Sequence, residues 1–258
     1  MNKKRFCFTV DDNIRFFKEI CEKDYTSIFQ HPYLSMYKRL HEKYGLKVQL
    51  NLFYEASGFT LCDMPDRYFE EWKENSDWLK MSFHSRIENV RPYEASGYDE
   101  VFKDCRNVQN EILRFAGCDS LAKTTTIHYC CATEGGIAAL RDNGVTGLLG
   151  LYRKGDNPRM SYQSSEEDRD FICDGGTVIC DGIGYAGIDI VMNLYQRDEV
   201  LSKLEALNGR DTIKVMIHEQ YFYPDYTAYQ SDFEEKIGKS FEYLCKNGYV
   251  SSFFEECL

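Results

Sequence analysis

The sequence is short of the features that mark several protein classes. Five prolines in 258 residues, with no low-complexity run, leave little room for extended disorder. No stretch approaches the ~20 consecutive apolar residues of a membrane-spanning helix. The opening Met1-Asn2-Lys3-Lys4-Arg5 is basic. The apolar run behind it, Phe6 to Val10, stops at Asp11-Asp12 and is too short for a secretory signal. Positive charge is scarce, with 31 lysines and arginines against 42 acidic residues and a net charge of −11. That balance argues against general binding to nucleic acid or to a membrane surface. Cysteine is plentiful at eleven, yet the number is odd and no C-x-x-C pair occurs, which suits neither a zinc ribbon nor a disulfide framework. The thiols are expected to be mostly buried small hydrophobes in a reducing, cytoplasmic setting. No G-x-S-x-G elbow, H-E-x-x-H helix or G-x-x-x-x-G-K-[ST] loop is present.

What is there is one core's worth of apolar residues, 43% of the chain, and no linker, so residues 1–258 are expected to form a single domain. Runs rich in β-branched and aromatic residues predict strands at Arg5–Val10, Lys47–Tyr54, Trp78–Phe83, Thr124–Cys130, Gly144–Tyr152, Gly187–Asn193 and Ile213–Ile217. Helical patterns fall between them, at Ser27–Tyr44, Pro65–Asn75, Tyr98–Ala116, Glu134–Asn143, Asp198–Leu207 and Ser231–Asn247. Tyr44-Gly45, Asn143-Gly144 and Asn247-Gly248 are sensible helix stops. About seven strand–helix units imply an α/β class with parallel strands, and a barrel fits them better than an open sheet. Residues 153–184 break the rhythm. Arg153–Asp170 is polar, and Phe171–Gly184 predicts a hairpin turning at Gly175-Gly176. An insertion of that kind serves as a lid, a rim or an oligomer contact, or as a solvated excursion.

In parallel α/β barrels, functional groups collect where strands end. The predicted strands end at Asp11-Asp12, His84, His128 and His218-Glu219, which gathers three of the five histidines with a double aspartate. Adjacent carboxylates on a strand point to different sides of the chain. One can hold a metal while the other accepts a proton, although the pair also suits a helix cap or a turn. If the residues after His84 turn helical, His84 and Glu88 share a face and can grip one ion; Ser85 could instead cap that turn and Glu88 could pair with Arg86 or Arg91. His218 at the last strand end can act as general acid or sit as a hydrogen-bonded rim residue. The aromatic run Tyr221-Phe222-Tyr223-Pro224-Asp225-Tyr226 follows, with Tyr221 and Tyr223 the candidates for stacking on a sugar face.

Together these residues resemble the polysaccharide deacetylase superfamily (NodB homology, carbohydrate esterase family four), as a divergent member. Phe8-Thr9-Val10-Asp11-Asp12 is similar to the family's T-F-D-D motif, with valine for phenylalanine. His84-Ser85 matches the start of its H-[ST]-x-x-x-H motif, with Glu88 where the second histidine is expected. Val215-Met216-Ile217-His218 matches its late histidine motif. The arginine–proline motif is not preserved, and Thr126-Ile127-His128-Tyr129-Cys130-Cys131 stands near its place. The resemblance implies an irregular NodB-like (β/α)7 barrel carrying the hairpin insertion. It makes Asp11 the general base, Asp12 and His84 metal ligands and His218 the general acid. His128 either supplies the ligand that Glu88 does not, or replaces the arginine beside Asp11. The implied cofactor is a divalent cation, zinc foremost, with manganese or magnesium tolerated. The implied activity is hydrolysis of an acetyl-type amide or ester on a carbohydrate or small sugar derivative. The alternatives are a non-catalytic barrel that binds carbohydrate or protein through the aromatic rim, and a subunit, homo-oligomeric or otherwise, that docks through Arg153–Asp170.

Overall fold

A computed structural model describes residues 3–23, 25–88, 92–155 and 158–258; positions 156–157 of the expected insertion lie outside it. Its strands are β1 (Arg5–Asn13), β2 (Val48–Ala56), β3 (Phe59–Thr60), β4 (Leu79–Ile87), β5 (Thr124–Thr125), β6 (Gly147–Gly150), β7 (Thr177–Cys180), β8 (Ile183–Gly187), β9 (Ile190–Val191), β10 (Thr212–His218) and β11 (Val250–Ser251). Its helices are α1 (Arg15–Glu22), α2 (Pro32–Tyr44), α3 (Phe69–Glu74), α4 (Tyr98–Phe115), α5 (Glu134–Asp142), α6 (Glu166–Cys173), α7 (Arg197–Ala206) and α8 (Phe233–Lys246). None is long and apolar enough to cross a membrane among the described residues.

The strands run parallel in the order β9-β10-β1-β2-β4, and a second ladder runs β5-β6-β8 with β7 antiparallel at its edge. The run from β8 to β9 joins the two ladders. Its first half pairs with β6 and its second half with β10. On the other side a single bridge, Met81 to Leu121, leads from β4 toward β5. Seven strand positions thus surround one core in an α/β barrel arrangement, without a continuous ladder around the ring.

The strands read as apolar because both faces are covered. Phe6 of β1 stacks on Phe241 of α8 and Phe8 meets the same ring edge-on, and Trp72 of α3 packs with Phe17 and Phe115. Gly45, Gly144 and Gly248 follow α2, α5 and α8 with φ of 65°, 84° and 81°, the left-handed geometry that ends a helix.

Three expectations are corrected. The strand predicted over Thr124–Cys130 is only two residues long, because the chain turns at His128–Cys130 with Tyr129 and Cys130 at φ 62° and 51°. The polar segment before the hairpin holds α6, capped by the Ser165 side chain. The hairpin turns at Asp181-Gly182 rather than Gly175-Gly176. Cys180 pairs with Ile183 across it, and both turn residues have positive φ, as a two-residue hairpin loop requires.

Helix α1 was not foreseen, because Ile14 at its start has no capping side chain. The cap comes from Glu219, a buried residue some 200 positions away. Its Oε2 accepts from the Ile14 and Arg15 N–H groups at 2.8 and 3.0 Å, and its Oε1 from Phe16 N–H at 2.7 Å. Tyr223 donates its hydroxyl to the same carboxylate at 3.0 Å. Burial nevertheless pushes the Glu219 carboxyl up to about 7 against these four hydrogen bonds. Glu219→Ala would leave three helix N–H groups without a buried acceptor. It is expected to cost about 2–3 kcal/mol in urea unfolding.

Candidate functional site

The two aspartates sit in an irregularity of β1. Val10 pairs with Leu50 and Asn13 with Leu52, so β1 advances three residues while β2 advances two. This bulge carries Asp12 at φ 63°, a left-handed conformation that costs a non-glycine residue about 1 kcal/mol or more. Asn13 holds it in place, its amide donating to Val10 O at 2.5 Å and Asn51 O at 3.2 Å while Tyr33 donates to its carbonyl at 2.8 Å. Neighbours on a regular strand would face opposite ways. Here the bulge turns both carboxylates into one cavity.

His84 occupies a second bulge. Leu52 pairs with Phe83 and Phe53 with Ser85, which leaves His84 as the extra residue of β4. The strand continues to Ile87, so no helix brings Glu88 onto the face of His84. Glu88 lies exposed at the cavity wall, outside the ligand cluster.

That cluster is Asp12, His84 and His128. His84 Nε2 stands 3.0 Å from Asp12 Oδ1 and 3.1 Å from His128 Nδ1, and His128 Nδ1 stands 3.3 Å from the same oxygen. Ligands of a tetrahedral zinc with bonds of ~2.0–2.1 Å lie about 3.3 Å apart, so the triangle has the right size. Its chemistry fits as well. His84 Nδ1 donates to the Thr126 carbonyl, which leaves its Nε2 lone pair facing a carboxylate oxygen and a second imidazole nitrogen. Such a grouping needs a proton or a cation at its centre. His128 Nε2 is buried without a hydrogen-bond partner among the described residues.

The two carboxylates are driven apart electrostatically. Burial alone would raise Asp12, but the His128 and His84 imidazoles beside it and the charge of His218 hold it well below the usual carboxylate range. Gln220 adds a donor to Asp12 Oδ2 at 2.8 Å. Asp11, buried at 1% exposure, is raised by burial even though His84, His218 and Asn51 oppose the shift. Asn51 donates to Asp11 Oδ1 at 2.7 Å and accepts from Gln49 at 2.8 Å. Gln49 in turn is fixed by the hydroxyl and carbonyl of Thr124. His218 lies directly across the β1–β10 ladder from Asp11. Its Nδ1 donates to Asn193 Oδ1 at 2.8 Å, and its Nε2 faces the cavity 4.0 Å from Asp12 Oδ2.

The cavity has a volume of about 340 Å³, with Asp11, Asp12, His84, His128 and His218 all on its wall. Tyr221 and Tyr226 form an aromatic side, their rings 5.2 Å apart, and Met160 reaches in from the segment before α6. Tyr223 does not line it. That ring is buried, under the Arg15 guanidinium at 3.9 Å, with its hydroxyl on Glu219, so its place is structural. Asn51, Gln49, Asn193 and Gln220 were not anticipated. For the first two a signal existed, since Gln49 and Asn51 alternate with Val48, Leu50 and Leu52 along β2 and so share one face.

No protein-family model and no curated protein matches the chain. Solved structures do. An acetyl xylan esterase of family 4 from Clostridium thermocellum, in complex with a cobalt ion, aligns at TM-score 0.53 and 12% identity over 98% of this chain and 89% of that one. The chain has the polysaccharide-deacetylase fold. A peptidoglycan N-acetylglucosamine deacetylase aligns at TM-score 0.56 and 11% identity, over 99% of this chain and 88% of its own. A carbohydrate esterase family four pseudoenzyme from Bacillus anthracis aligns at 0.54 and 11%, over 99% and 65%. At such identities the likeness shows the fold and leaves the chemistry to the site.

The ligand assignment can be measured. After chelation, zinc titration of Asp12→Ala, His84→Ala and His128→Ala is expected to show affinity losses beyond the ~10–100-fold that removal of an outer partner costs. Glu88→Ala is expected to titrate like the unaltered chain.

Proposed function

We propose that the protein is a metal-dependent hydrolase that removes an acetyl-type group from a carbohydrate or small sugar derivative. The observation that carries this reading is the triangle of Asp12, His84 and His128, flanked in the same cavity by a carboxylate with raised proton affinity and a histidine. A divalent cation bound there, zinc by its nitrogen-rich donor set, would polarise the acyl carbonyl and acidify water. Asp11 accepts the proton of the attacking water, which its burial favours and which the Asn51 amide orients. His218 delivers a proton from Nε2 to the departing amine or alcohol, its ring held by Asn193. Gln220 and the two histidines keep Asp12 anionic and fixed. Tyr221 offers a face for a sugar ring.

A cavity of about 340 Å³ lies within the ~300–1,000 Å³ usual for small-molecule sites, which suits an acylated sugar unit placed at the cluster. The deacetylase and the esterase among the structural neighbours support the acyl-transfer chemistry.

Acetate release from acetylated mono- and disaccharides by the zinc-loaded protein tests the reading. Asp11→Asn and His218→Ala are each expected to keep the metal and lose kcat by ~10²–10⁴-fold. Tyr221→Ala is expected to raise KM with kcat little changed. Metal binding without any acyl release would leave a binding barrel in place of an enzyme.

A further inference from the structure

At the opposite end of β1 from the aspartates, two thiols meet. Cys7 is 1% exposed and packs with Leu149, Ala186 and Phe254 at the base of the barrel. Cys257 follows the turn Phe254–Glu256, and its Sγ stands 3.7 Å from that of Cys7. Forming a bond of ~2.05 Å from there needs a shift of under ~2 Å in two short side chains. The segment that carries Cys257 is already registered on β1, because β11 pairs Val250 with Arg5 and Ser251 with Phe6.

The two sulfurs are unequal. Cys257 is half-buried and lines two polar clefts, one of about 500 Å³ beside Arg210 and Lys214 and one of about 400 Å³ beside Lys3 and Arg5. Arg5 Nη1 lies 3.9 Å from its sulfur and also donates to the Glu256 carbonyl. The contact with Cys7, followed by Arg5, outweighs burial and the charge of Glu256 and lowers the Cys257 thiol below the usual range. The contact with Cys257, burial and Glu256 raise Cys7 well above it, against Lys214. An accessible, cation-flanked sulfur touching a protonated partner is the arrangement of an attacking and a resolving cysteine.

We propose that Cys257 and Cys7 form a redox-active dithiol that a low-molecular-weight disulfide oxidises. The Cys257 thiolate attacks one sulfur of the reagent, whose S–S bond breaks and releases one thiolate that takes a proton from water. Cys7 then attacks Cys257 Sγ in the mixed disulfide. Its proton goes to the second departing thiolate, so that two chain thiols are oxidised while one reagent disulfide becomes two thiols. The new bond fastens the segment after α8 to β1 at the barrel base.

The full chain, incubated in glutathione disulfide and digested without reduction, is expected to yield a Cys7–Cys257 linked peptide that dithiothreitol abolishes. The thermal midpoint is expected to rise by ~5 °C or more, because the bond closes a loop spanning nearly the whole chain. In the unaltered chain, brief alkylation with iodoacetamide is expected to label Cys257 at least ~10-fold faster than Cys62, Cys118 or Cys180, which are exposed. In Cys7→Ser, which lacks the resolving thiol, Cys257 is expected to stop at the glutathione adduct. Absence of the linked peptide at equilibrium, or alkylation of Cys257 no faster than that of the exposed thiols, overturns the proposal.

Discussion

The left-handed backbone at Asp12 is the constraint on which the rest of the site depends. On an unbroken strand Asp11 and Asp12 would point to opposite faces, one into the cavity and one into the packing against the helices. The bulge removes that alternation at a local cost of about 1 kcal/mol or more, and the Asn13 side chain and Tyr33 hydroxyl over-determine it. The same device recurs at His84, the extra residue of β4, and in altered form at His128, which opens a turn containing two more positive-φ residues. Each of the three residues that meet in the cluster, Asp12, His84 and His128, thus stands at or beside a backbone irregularity.

Geometry alone does not separate the roles of the two acids. Adjacent carboxylates acquire opposite protonation behaviour from their surroundings: Asp12 from two imidazoles and the Gln220 amide, Asp11 from burial with one amide donor. The Thr124–Gln49–Asn51 chain of hydrogen bonds lies entirely within the barrel and leaves Asn51 with one orientation, its N–H₂ toward Asp11. A buried polar chain of this kind is tolerable because each member is paired.

The alternation of strand and helix was legible because both faces of each central strand are covered, which makes runs such as Phe6–Val10 and Val215–Ile217 mostly apolar in sequence. The strand ends were legible for the same reason, since Asp11, His84 and His218 are where polarity interrupts those runs. What eluded sequence reasoning depends on contacts across the chain. Helix α1 has its cap from Glu219, which no local pattern announces. Glu88 stands at a ligand-like spacing from His84, but β4 does not become helical there. Tyr223 looks like a rim aromatic because it stands in the aromatic run that follows His218, yet its hydroxyl belongs to the Glu219 cluster. Gly175-Gly176 is the stronger local turn signal, yet the hairpin turns at Asp181-Gly182. Those glycines close α6 instead, where Gly175 takes φ 102°.

The Glu219 carboxylate follows directly on the candidate acid, and the helix start that it clasps follows within a few residues of the candidate base. One bank of the mouth is therefore a preassembled frame, with the spacing of Asp11 and His218 fixed before anything enters. The facing bank, where His128 and Tyr129 follow a two-residue strand, has a separate clasp in buried Tyr162, whose hydroxyl links the Ile127 N–H to the Leu149 carbonyl and whose own N–H donates to the Cys130 carbonyl, so each side of the mouth is shaped ahead of binding by its own fastening.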